Sequence, residues 1–252
     1  MAAAGAAVYY LTLRLWQRQT IPPASNGPPP PQPGSRPPRP SVIRIHSGDL
    51  ASDSPPYNPT LYDIHHTAFL LRQRLPGDLV PLVLDHASYW QTIPLAVNTN
   101  RVLISESEAG RTYLAGTLPP YIAPRSVRRV SYTIVSRDQG FSHDPPNHGT
   151  YEQSYTWFEA FVLAPNEDEL TGQASVRYRK RIIYNVHAGR QYKSHTVRWT
   201  RDDEEGDVTE VLREVKGGYH LGVTIHAQFP AWVNHVKMGR IEVEVAVVRR
   251  MS

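Results

Sequence analysis

The chain contains no cysteine. That excludes a disulfide framework, a thiolate zinc site, an iron–sulfur cluster and a cysteine nucleophile, and it weighs against a secreted protein. Long hydrophobic runs are also missing. The longest, Ala2 to Leu13, falls short of the roughly 20 residues a membrane-spanning helix needs. No positive charge precedes it and no cleavage site follows, so it is a poor secretory signal. Gly-x-Ser-x-Gly, His-Glu-x-x-His, a phosphate loop and a dinucleotide fingerprint are all absent, which removes the enzyme classes that carry them. Acid is missing from the first 48 residues, Asp49 being the first carboxylate.

What is present is a core-forming composition. Hydrophobic residues make up 40% of 252 and charged residues 20%, enough for one ordinary domain and a tail. The net charge of +4 does not describe the body of the protein. Five arginines (Arg14, Arg18, Arg36, Arg39 and Arg44) lie in the acid-free start, and the remainder carries slightly more acid than base. A nearly neutral body argues against a nucleic-acid partner.

Residues 1–57 read as a disordered tail. Met1–Gln19 is acid-free, places Arg14 and Arg18 on one helical face, and is either a frayed terminus or a mitochondrial presequence. The expected location is therefore cytoplasmic, or mitochondrial if residues 1–19 act as that presequence. Ten of the twenty residues from Ile21 to Pro40 are proline. Such a stretch favours extended polyproline geometry, as a spacer or as a ligand for an aromatic groove.

Residues 58–92 read as a helical lead-in. Leu61, Ile64, His65, Ala68, Leu71 and Leu75 recur at helical spacing from Asn58 to Arg74. The adjacent His65 and His66 point two ways and do not form a metal pair. Asp78 is placed to cap a second helix, Leu79 to Trp90, with Pro81 in its first turn. Leu75-Pro76-Gly77-Asp78-Leu79-Val80-Pro81-Leu82-Val83-Leu84-Asp85 resembles the opening of an F-box. That resemblance implies a substrate adaptor for ubiquitin ligation with a Skp1-type partner, although the later F-box helices are missing.

Residues 93–252 read as an antiparallel β-sandwich or jelly roll of seven or eight strands. Ile93 to Leu103 reads as extended chain. Period-two alternation runs over Val127–Arg137, Trp157–Ala164, Arg181–Val186, His195–Thr200, Thr209–Val215, Leu221–Phe229 and Arg240–Arg249. Trp157, Phe161, Tyr184, Trp199 and the valines of the last strand are the expected core, and Trp90 is expected to pack the lead-in onto the sheet. The acidic run Asp202-Asp203-Glu204-Glu205-Gly206-Asp207 reads as a solvated hairpin loop, its spacing not matching an EF-hand.

Three polar segments join strands: 136–151, 185–195 and 229–235. Loops on a rigid scaffold are where binding groups concentrate. Their candidate ligand-binding residues are Arg137, Asp138, His143, Asp144, His148, Tyr151, His187, Arg190, Trp232, Asn234 and His235. These side chains suit hydrogen bonding to sugar hydroxyls beside an aromatic ring. Asp138, Ser142 and Asn147 serve equally well as caps of their own turns. A hydrolase would use His143 or His148 as base, oriented by Asp138 or Asp144. Sequence neighbours such as Ser142-His143-Asp144 are no argument for it, because catalytic triads assemble from distant positions.

Arg137-Asp138-Gln139-Gly140-Phe141-Ser142, His148-Gly149-Thr150-Tyr151, Thr156-Trp157-Phe158-Glu159, Asn185-Val186-His187-Ala188-Gly189 and Phe229-Pro230-Ala231-Trp232-Val233-Asn234 together resemble an uncharacterised group of fungal proteins. The resemblance spans about residues 75–249, and departs at Phe141, where the pattern carries tryptophan. It implies a galactose-binding-like β-sandwich and supplies no catalytic residues. The expectation is a non-catalytic binding module for a glycan or a protein, with no metal, cofactor or transmembrane segment. The adaptor and, behind it, the hydrolase stand as alternatives.

Overall fold

The computed structural model describes residues 58–165, 176–201 and 206–247. The presequence-like run, the proline stretch, most of the acidic run and the end of the last expected strand lie outside the described residues.

Helix α1 (Leu61–Arg72) starts at a capping box. The Thr60 hydroxyl accepts from the Asp63 N–H, and the Asp63 carboxylate accepts from the Thr60 N–H, satisfying two orphan donors. Helix α2 (Val80–His86) is shorter than Leu79–Trp90. Asp78 does not cap it; Leu79 occupies that position with no side-chain bond. Ser88, at φ +51°, ends the helical path, and the chain enters a strand at Gln91. Ile64, Ala68, Val80 and Leu84 form a small apolar cluster between the two helices. Tyr89 and Val247 pack against this cluster, and Trp90 contacts both the second helix and the sandwich. Its indole N–H donates to the Asp85 carboxylate, which also pairs with Arg128, and the Arg129 guanidinium lies over its ring.

Nine strands follow among the described residues: β1 (Gln91–Asn98), β2 (Val102–Ile104), β3 (Arg111–Thr117), β4 (Val127–Arg137), β5 (Thr156–Leu163), β6 (Val176–Tyr184), β7 (Lys193–Thr200), β8 (His220–Ala227) and β9 (Asn234–Val245). They build two antiparallel sheets. The first has the order β1-β9-β4-β7, with β2 also paired to β9. The second has the order β3-β8-β5-β6. The antiparallel sandwich read from the periodicity is therefore the fold of the body.

Strand β9 shows why. Val236, Ile241, Val243 and Val245 are buried, and Glu242 and Glu244 lie on the opposite face. The core between the sheets centres on Tyr132, Ile134, Phe158, Ile183, Trp199, Leu221, Ile225 and Ile241. Trp199 meets Tyr132 edge to face at 5.0 Å. Each such side chain contributes roughly 1.5–3 kcal/mol on full burial.

Two expectations are corrected. Thr209–Val215 is no strand; Gly206–Glu214 is an amphipathic helix, α3, that buries Val208 and Leu212 against the sandwich. On β5 the core face is Phe158, Ala160 and Val162, not Trp157 and Phe161. Trp157 is half-buried on the outer face, stacked on His226 at 5.1 Å and covered by Arg181. Phe161 is fully buried on that same outer face, its ring lying where a Cβ on Gly222 would sit only 2.2 Å away. Only glycine admits that approach. No helix among the described residues is long and apolar enough to cross a membrane.

Candidate functional site

The three polar segments are separated by many tens of residues, yet the sheets bring them to one end of the sandwich. The first follows β4, the second joins β6 to β7, and the third joins β8 to β9. A fully buried polar network ties them together. The Asn185 amide donates to the Thr156 hydroxyl at 2.9 Å and to the Asn234 carbonyl at 2.9 Å, and its own carbonyl accepts from the Ser136 hydroxyl at 2.6 Å. The Asn234 amide donates in turn to the main-chain carbonyls of Trp157 and His226. All four side chains are buried, so each bond is made where its loss would leave an unsatisfied polar group.

Asp138 sits under the first two loops. Its Oδ1 accepts the Gly140 N–H at 2.9 Å and its Oδ2 the Ala188 N–H at 2.6 Å, so one carboxylate clasps both segments. Burial pushes its pKa up; the two N–H groups, His187 and Arg137 oppose that shift. Gly140 carries φ +89°, the left-handed backbone that the turn needs and glycine supplies. Ala188 takes a similar conformation at φ +54°. Arg190 closes the clasp, its Nε donating to the Gly140 carbonyl at 3.2 Å.

His187 is at the centre and is 1% exposed. Its Nδ1 lies 3.0 Å from the Glu152 main-chain carbonyl, which can only accept, so Nδ1 carries the proton and Nε2 is a bare acceptor. The Ser142 hydroxyl, 2.5 Å away, therefore donates to Nε2. His148 Nε2 lies 3.2 Å from the Ser142 carbonyl and 2.9 Å from its Oγ, and must carry a proton to meet both. The Asp144 N–H donates to the same Oγ at 3.2 Å. The direction of the chain is thus set: His148 to Ser142 to His187 to Glu152.

A hydroxyl donating to an imidazole whose far nitrogen is held by a carbonyl has the polarity of a nucleophile and its base. Here, however, Ser142 Oγ spends its proton on His187 and both lone pairs on N–H donors, and the imidazole is shielded from solvent. The arrangement works as a latch between loops.

A row of rings crosses the cluster. Phe229 meets Tyr155 at 4.9 Å, Tyr155 meets Trp232 at 5.0 Å, Trp232 meets His187 at 5.3 Å, and His187 meets His148 at 5.6 Å. The first three contacts are edge to face, the geometry aromatic pairs prefer. Both ends of the row, Phe229 and His148, are exposed, and Phe141, the neighbour of Ser142 in sequence, is 57% exposed.

Of the residues singled out from sequence, Asp138, His148, His187, Arg190, Trp232 and Asn234 are joined to the other loops by these contacts, and Arg137 meets His235 at 3.2 Å. Asp138 and Asn234 are fully buried and shape the floor without lining the surface. Asp144 accepts from the Asn147 amide within its own turn, and His143 is exposed on that turn. Tyr151 is turned inward to the buried His195, its hydroxyl 3.1 Å from Nε2. Ser142, Tyr155, Asn185 and Phe229 belong to the cluster and were not singled out as site residues. Neither His143 nor Asp144 is placed against a serine hydroxyl as base and orienter. Among the described residues, no group of three or more His, Asp or Glu side chains could hold a metal ion.

No protein-family profile matches the chain, and no curated protein matches it in sequence.

Proposed function

We propose that the chain is a non-catalytic binding module whose ligand docks across the loop end of the sandwich. The observation that carries this reading is the row of rings from Phe229 to His148. The two exposed ends of this row, Phe229 and His148, with Arg190 and Asn147 on the neighbouring loops, suit a glycan. Rings stack against the C–H faces of sugars while side-chain donors take hydroxyls. A protein loop is the other ligand such a face accommodates. The rigidity of the floor supports recognition, because a preorganised site loses little entropy on binding.

The test is thermal unfolding of the full chain with a panel of neutral and acidic oligosaccharides. A ligand at about a hundredfold excess over Kd stabilises by about 2.7 kcal/mol. The expected result is a rise in Tm with one class of sugar, lost in Phe229→Ala and His148→Ala. A rise that survives both substitutions would contradict the reading.

One observation favours a second reading, the adaptor. Leu61, Phe69 and Leu70 of α1, and Leu79, Leu82 and Val83 at α2, are each at least 40% exposed. A Skp1-type partner would bury this face, and recovery of that partner by the full chain, abolished in Leu82→Asp, would support it.

A further inference from the structure

Beside the aromatic row, at the same end of the first sheet, lies a second group of side chains that the latch does not use. Arg137 ends β4 and pairs in register with His235 near the start of β9. The ladder then slips. Ser136 faces Val236 and Val135 faces Met238, so Lys237 has no partner on β4. A bulge of this kind re-aims the extra side chain. Lys237 Nζ sits 6.0 Å from the centre of the Tyr192 ring, and Arg137 Cζ sits 5.4 Å from the same centre. Two cations thus converge on one half-exposed ring.

Arg137 Nη2 donates to His235 Nδ1 at 3.2 Å, which leaves the His235 proton on Nε2, a third donor. Arg137 Nη1 donates to the Asp138 carbonyl. The remaining guanidinium N–H groups have no hydrogen-bond partner among the described residues.

The Asp138 carboxylate attracts Arg137 but forms no ion pair with it. Farther along the same strands, Arg129 pairs with Glu244 at 2.9 Å and Arg240 with Glu242 at 2.6 Å. Among the described residues no carboxylate pairs with Arg137, Lys237 or Arg190. The nearest carboxylate in sequence, Asp138, is turned inward and occupied by two main-chain N–H groups. A half-buried guanidinium and an ammonium that share one ring, with spare donors and no carboxylate ion-paired to either, suit an oxyanion.

We propose that Arg137, Lys237, His235 and Tyr192 form an oxyanion subsite that takes the sulfate or phosphate ester of an acidic glycan. The glycan part rests on the binding-module reading; the oxyanion part is testable without it.

The experiment is an NMR titration of the full chain at constant ionic strength, following the His235 imidazole and the Tyr192 ring. The probes are inorganic sulfate, inorganic phosphate, galactose, galactose 6-sulfate and galactose 6-phosphate, with chloride as the reference. Sulfate or phosphate is expected to shift both residues where chloride does not. The matching charged sugar is expected to bind about tenfold more tightly than galactose. Whichever ester wins identifies the oxyanion. Lys237→Ala, at an exposed position, is expected to erase the preference, and Arg137→Gln is a second check. Equal affinity for galactose and both esters would overturn the subsite while leaving the glycan reading intact. Equal affinity for the free ion and its sugar ester would keep the subsite and defeat the glycan reading. A preference that survives Lys237→Ala, or no shift with any anion, would also overturn it.

Discussion

The loop end and the helical lead-in are both attached to the same sandwich, but by opposite means. The lead-in rests on four buried apolar side chains, Ile64, Ala68, Val80 and Leu84, with Asp85 bridging Trp90 and Arg128. Apolar contacts are non-directional and tolerate small shifts. The loop end is held by directional bonds through Asp138, Asn185, Asn234, Ser142 and His187. Such bonds hold atoms in set positions and are costly when broken, as a binding floor requires and a docking contact does not. The difference teaches which contacts fix the geometry of loops and which merely seat a neighbouring segment.

The sharpest way to break this comparison is Asp138→Ala. It leaves the buried Gly140 and Ala188 N–H groups without an acceptor, and a loss of about 4 kcal/mol is expected on denaturant unfolding. Ligand binding should vanish with it. Ile64→Ala is the matching test of the lead-in. It should cost about 3 kcal/mol of docking, read as loss of amide protection over α1 and α2, with binding at the loop end unchanged.

A third expectation concerns pH. Burial, reinforced by Lys193, pushes His195 down to about 4, and burial lowers His226 as well. An unfolded imidazole titrates near 6.5, so the unfolded chain takes up protons first. The stability from holding these groups neutral is full above about pH 6.5 and is lost as pH falls toward 4. For His195 the loss is on the order of 2 kcal/mol, and His195→Gln should flatten that part of the profile. The smallest effect on stability should come from Phe141→Ala. An exposed ring costs within about 0.5 kcal/mol on removal, yet affinity should fall if that ring meets the ligand.

These contrasts also mark what the sequence disclosed. The second half of β9, from Arg240 to Val245, is legible because Ile241, Val243 and Val245 alternate with Glu242 and Glu244; its first half, from Asn234, lacks that alternation. The faces of β5 are hard to tell apart by pattern because large rings lie on both, Trp157 and Phe161 on one and Phe158 on the other, with only Glu159 to mark the outer one. Helix α3 was read as a strand from Thr209, Val211, Arg213 and Val215, which alternate. Val208, Val211, Leu212 and Val215 also recur at helical spacing, and burial of Val208 and Leu212 decides between them. The three loops could be named as polar connections, but their meeting depends on sheet order, to which local pattern is blind. Ser142 and Asn185 were passed over for the same reason: their partners lie 45 and 49 residues away. Lys237 offered no signal at all, since its aim depends on a one-residue slip in the ladder.

The most direct test of the central claim is hydrogen exchange of the full chain with and without a ligand that raises its Tm. If the loop end is the binding face, protection should rise in 137–151, 185–195 and 229–235 and stay unchanged in 61–86. Protection confined to 61–86, with the three loops unaltered, would contradict the account and make the lead-in the recognition surface.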